Sequence, residues 1–153
     1  MYELLLQEIE ENNILLKETP IKGKIKGLYG DNVIWLNSKI ETSIEKTCVL
    51  AEELGHHFTT AGDILDQSQT TNVKQEKLAR LWAYNRLVPP EKLLDAFLHG
   101  CKSRYEVAEY LEVTEEFLEN CIQAYKQKYG EKMKVGDHHV MYFNPLSIYI
   151  SFE

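Results

Sequence analysis

The sequence has no apolar run of about 18 residues and no charged stretch leading into an apolar one, so neither a membrane span nor a secretory leader is expected. It is short of positive charge: 17 Lys and Arg stand against 24 Asp and Glu, for a net charge of -7. Phosphate binding needs a concentrated basic face, and the bulk field here repels polyanions. Direct nucleic-acid binding is therefore not expected, whereas a basic protein partner is compatible. Cysteine is scarce and odd in number: Cys48, Cys101 and Cys121 are far apart and lie in apolar helical patterns. That usage suits reduced thiols in a cytoplasmic protein. Repeats and low-complexity tracts are absent too. What remains is ordinary: 153 residues, 44% hydrophobic and 27% charged, enough for one domain or one domain with a small appendage.

Hydrophobic spacing predicts an α+β chain. Tyr2 to Asn12, with Leu4, Leu5 and Ile9 against an acidic side, reads as a short amphipathic helix. Pro20, Gly23, Gly27 and Gly30 then punctuate a region unsuited to helix, and Lys24–Tyr29 and Val33–Leu36 read as two strands joined at Gly30-Asp31-Asn32. A helix opening near Glu41 to Ser43 follows. After a polar loop, a second strong helix runs from about Val73 to Leu87, with Leu78, Leu81, Trp82 and Leu87 expected to face a core and Ala79 and Ala83 on another side, where a neighbouring helix could come close. Pro89-Pro90 ends it. Three further helical periods cover Glu91–Gly100, Ser103–Leu111 and Thr114–Tyr129, with Ser103 and Glu106 as a capping box. The last two form a helix-turn-helix order, but the second begins T-E-E-F-L-E-N, acidic where DNA would lie. Lys134–Gly136 reads as a turn, and His138–Phe143 with Ser147–Phe152 as a hairpin about Asn144-Pro145.

The chemistry concentrates in C-V-L-A-E-E-L-G-H-H-F-T-T, Cys48 to Thr60. Ile44, Cys48, Ala51, Gly55 and Phe58 make an apolar stripe, and Glu52, Glu53 and His56 sit beside it. Glu52 and His56 are one helical turn apart on one side, so both can grip a single ion, with Glu53 alongside to handle a proton. This is the spacing of the H-E-x-x-H metalloprotease helix, with Glu52 in place of the first His. Hydrolytic zinc sites need three protein ligands. Glu76, on the helix before Pro89, is the natural third, with Asp63 and His57 in reserve. His57 is the poorer substitute, because a step of about 100° turns it off the Glu52 and His56 face. Two carboxylates and one imidazole leave a dication neutral, which weakens its action on water and relaxes the preference for zinc, so zinc, manganese and an empty site all stay open. The bland reading of E-E-L-G-H-H is a solvated helix face with a histidine at its C-terminal end. His99, His138 and His139 read as surface or turn residues, and Trp82 and Tyr84 as core and rim.

At these residues the sequence resembles the ImmA/IrrE family of metallopeptidases, found beside phage and mobile-element repressors. The likeness rests on G-L-Y-G-D-N-V-I-W-L-N, L-A-E-E-L-G-H-H and E-K-L-A-R-L-W-A-Y-N-R-L-V-P-P. Against the family pattern E-x-x-A-x-x-F-A-x-x-L-L-x-P, Glu76, Ala79, Trp82, Ala83 and Pro89 fall in register. The resemblance implies a mainly helical, zincin-like α+β fold with a small antiparallel sheet: a metallopeptidase core over residues 1–90, and a helical accessory region with a C-terminal hairpin over residues 91–153, packed on it as one unit. It implies Glu53 as general base and His56 and Glu76 as metal ligands, with Glu52 where the first histidine ligand normally stands. It also implies a zinc-dependent endopeptidase that cleaves a helix-turn-helix repressor, or a weak or inactive relative that binds the repressor as an antirepressor. His57 and Tyr84 are the candidate oxyanion donors.

Overall fold

The computed structural model describes residues 1–60 and 69–152. By contact density the chain divides into two compact units, Met1–Leu87 and Val88–Glu153. The mainly helical α+β expectation holds in both.

The first unit contains α1 (Tyr2–Glu11), β1 (Leu15–Thr19), β2 (Gly27–Gly30), β3 (Val33–Asn37), α2 (Ser43–Thr59) and α3 (Gln69–Leu87). The expected antiparallel pair β2–β3 turns through Asp31 and Asn32, both at positive φ, a conformation that Asn and Asp tolerate in tight hairpins. A third strand, β1, joins β3 in parallel register and makes the sheet order β1-β3-β2. Sequence alone did not resolve it: L-L-K-E-T lacks alternation, and the strand is half-buried at one position only. Asn37 closes this sheet. Its buried side chain donates to the Ile25 and Ile21 carbonyls at 2.8 and 3.3 Å and accepts from the Ile21 and Lys39 amides, which pins the loop leading into β2.

Helix α2 starts where Thr42 caps it, its side chain accepting from the Glu45 amide at 3.1 Å. It packs against α3, β2, β3 and α1, and its middle is buried on several sides at Cys48, Leu50, Ala51, Glu53, Leu54 and Gly55. The expected stripe is correct at Cys48, Ala51 and Gly55 only, because Ile44 and Phe58, at the two ends, are exposed. Helix α3 needs a larger correction. Its buried positions are Ala79, Ala83, Tyr84 and Leu87, while Leu78 is 52% exposed and Leu81 and Trp82 are half-buried. The reason is the closeness of α2: a Cβ placed on Gly55 would lie 2.2 Å from the Ala79 carbonyl oxygen. Only small residues fit where two helix backbones come that near.

The second unit contains α4 (Pro90–Leu98), α5 (Arg104–Leu111), α6 (Glu115–Tyr129), β4 (Lys132–Val135), β5 (His139–Phe143) and β6 (Leu146–Ile150). Ser103 and Thr114 cap α5 and α6 as the sequence predicts. The C-terminal hairpin gains β4, where the sequence had suggested a turn from Lys134, and forms an antiparallel sheet of order β4-β5-β6. Val107, Phe117, Leu118, Ile122, Met141 and Phe143 supply its core, and Tyr125, fully buried, donates to the Val88 carbonyl at 2.8 Å. All three cysteines are buried, and none forms a disulfide. Among the described residues no helix is long and apolar enough to cross a membrane.

Candidate metal centre

The site grows out of how α2 lies between its neighbours. Residues four apart on α2 climb about 6 Å, and residues two apart on a strand climb about 6.8 Å, so a helix and a strand running side by side can match turn for pair. Helix α2 and β2 do this. Gly27 lies over Glu53, where an added Cβ would stand 3.2 Å from the Glu53 Cγ and 2.7 Å from Val49 Cγ1. Two residues on, the Tyr29 hydroxyl is 2.7 Å from His57 Nδ1. One side of α2 thus turns Glu53 and His57 toward β2, and the next turns toward α3.

On the α3 side, His56 Nε2 stands 3.2 Å from Glu76 Oε1. Two donors bound to one tetrahedral dication at about 2.0–2.1 Å each are separated by about 3.3 Å. The His56–Glu76 spacing is compatible with two ligands of one ion, and equally with a direct histidine–carboxylate contact. The other Glu76 oxygen faces Arg80 Nε at 3.8 Å, one turn along α3. The fit to a metal is good for this pair and stops there: among the described residues, no group of three or more His, Cys, Asp or Glu is arranged to hold an ion. Glu52 is half-buried on the same helix. Asp63 lies outside the described residues. His57, the other reserve ligand, has Nδ1 engaged by the Tyr29 hydroxyl.

Glu53 is the electrostatic centre of the site. Among the described residues it is the one charged side chain that is buried, 9% exposed. Burial pushes its carboxyl up to about 8, and the Glu52 and Glu76 carboxylates add to the shift. A group that holds a proton at neutral pH beside a prospective metal pair is equipped to exchange one with a substrate.

Around this centre runs an aromatic border. His57 meets Tyr29 and Phe58 edge-on, and Phe58 stacks on Trp82 with ring centroids 5.1 Å apart. Trp82 is thus a rim residue, where the sequence had placed it facing the core. Tyr84, one of the two candidate oxyanion donors, is 5% exposed within the core. Sequence reasoning missed Tyr29 and Gly27. The signal was the two-residue spacing in G-L-Y-G, which puts both on one strand face, but only the contact with α2 gives it meaning.

Comparison with curated proteins gives no match. A family model described as the IrrE N-terminal-like domain, of peptidase type, matches residues 9–122. That span runs from the end of α1 into α6 and includes Glu52, Glu53, His56 and Glu76. The family is of the metallopeptidase kind and implies a metal cofactor. By this match over most of its length, the chain belongs to the IrrE N-terminal-like peptidase family.

Proposed function

We propose that the protein is a metal-dependent endopeptidase of the cytoplasm that cleaves a helix-turn-helix repressor of a phage or mobile element. The observation that carries this reading is the pairing of His56 and Glu76 at ligand spacing next to a buried, proton-holding Glu53. Glu52, His56 and Glu76 would hold the ion, zinc by the family's habit and manganese as the alternative for a carboxylate-rich set. When bound, it would supply positive charge that acidifies water and polarises the scissile carbonyl.

The remaining steps belong to the chain. With a dication beside it Glu53 would be an ionised carboxylate, and in that form it accepts a proton as a water oxygen bonds to the carbonyl carbon. It returns that proton to the amide nitrogen as the carbon–nitrogen bond breaks, so one water and one peptide bond yield a carboxylate and an amine. His57 is the group in this proposal that steadies the oxyanion. In the tautomer in which Nδ1 accepts from the Tyr29 hydroxyl, its proton would sit on Nε2, ready to donate. The repressor as substrate comes from the family resemblance, and the acidic chain suits a basic, DNA-binding partner.

A second reading has its own observation. Glu52 stands where a histidine would make the site more positive, and a neutral centre is a weaker catalyst. On that reading the chain binds the repressor without cutting it. Glu53→Gln separates the two. With the neighbouring repressor as substrate and product masses as the readout, the variant is expected to lose cleavage by about 100-fold or more while keeping the repressor bound. Equal behaviour of variant and wild type, with no fragments from either, would favour the binding protein.

A further inference from the structure

The second unit has a surface that peptidase chemistry does not use. Strands β4, β5 and β6 bury Val135, Met141 and Phe143 on one face of their sheet. Alternation puts Lys132, Lys134, Val140, Tyr142, Ser147 and Tyr149 on the other. The Tyr142 and Tyr149 rings meet edge to face at 5.6 Å, and the Lys132 ammonium stands 6.0 Å over the Tyr142 ring. Tyr142, Tyr149, Asn144, Pro145 and Ser147 line an open groove of about 420 Å³, within the range of ligand sites. Tyr149 is 60% exposed, a large aromatic surface left to solvent.

Charge says what kind of occupant the face suits. Of 24 acidic residues in the chain, only Asp137 falls between Lys132 and Phe152, and none lies within the three strands. The face is thus a basic, aromatic island on a chain of net charge -7. Aromatic-lined grooves take extended, proline-bearing segments, whose rings lie flat on tyrosine at small entropic cost. The lysines add attraction for carboxylates. A nucleic-acid strand would also stack on tyrosine, but two lysines are few for a phosphate backbone, which needs a concentrated basic face.

We propose that this sheet face is a docking site for an extended acidic segment of a protein partner, seated with a proline ring against the Tyr142–Tyr149 pair and carboxylates on Lys132 and Lys134. The site is independent of whether the first unit cuts peptides.

The test is fluorescence anisotropy on the full chain with a labelled peptide of about twelve residues alternating Glu and Pro. Saturable binding is expected, weakening with salt, and at least tenfold weaker for Tyr149→Ser and for Lys132→Glu with Lys134→Glu. All three substitutions are at exposed positions, and an unchanged melting curve shows that each variant has folded. A Lys–Pro peptide should not bind. Absence of saturable Glu–Pro binding, undiminished binding in the folded variants, or binding of oligo-dT that the Glu–Pro peptide does not displace would overturn the proposal.

Discussion

Glu53 sets up a conflict between stability and use. Unfolded, it loses its proton near 4.5, and folded near 8, because burial and the Glu52 and Glu76 carboxylates penalise its charge. Between those values the folded chain holds a proton that the unfolded chain has released, so stability falls as pH rises through that window. Glu53→Gln cannot ionise and escapes the fall. In metal-free protein it should exceed wild type by roughly 2–4 kcal/mol at pH 8, a gain shrinking toward zero as the pH drops to the usual carboxylate range. Urea unfolding at both ends of the window, with chelator present, measures this, and a pH-independent difference would contradict it. That Glu53 and His56 sit close on one helix was legible from spacing, whereas Glu76, on another helix, was suggested by the family pattern. Tyr29 was not, since the 2.7 Å contact with His57 depends on where a strand lands on a helix. Glu52→His should tighten metal binding, read by competition with a chromophoric chelator, because imidazole replaces a carboxylate and restores net positive charge.

At the scale of elements, α2 and α3 hold the site, and their closeness is what Gly55 permits. Gly55→Ala would put a methyl 2.2 Å from the Ala79 carbonyl oxygen, a backbone atom that cannot turn aside. The helices must part, at a cost of about 3 kcal/mol or more. His56 and Glu76 would separate with them, so metal affinity should fall together with the melting temperature. Loss of stability with unchanged affinity would mean that the pair is not set by this contact. The sequence marked both helices, but it suggested the wrong face for part of α3. Leu78 and Trp82 looked like core because they are large, whereas a tight helix crossing selects Ala79 and Ala83 for being small. Strand β1 escaped notice for a related reason: a parallel edge partner needs no alternating pattern of its own, and L-L-K-E-T has none. Strand β4 does alternate, as K-M-K-V, but is too short to stand out beside Gly136.

Across the whole molecule, the fold class followed from spacing, since long periodic helices and turn-bounded strands are the strongest local signals. The division after Leu87 is close to where Pro89-Pro90 breaks the helical pattern. The family match extends past that division to residue 122, so membership rests on more than the active helix. What the family implies and the geometry leaves open is the third metal donor. The most direct measurement is therefore the metal content of protein purified without chelator or affinity-tag metal, for wild type and for His56→Ala. Near-stoichiometric zinc or manganese in wild type, lost in the variant, is the predicted result, and added metal should then raise the melting temperature of wild type alone. A folded wild type that carries no metal, or a His56→Ala variant that keeps it, would contradict the assignment of the centre to His56 and Glu76.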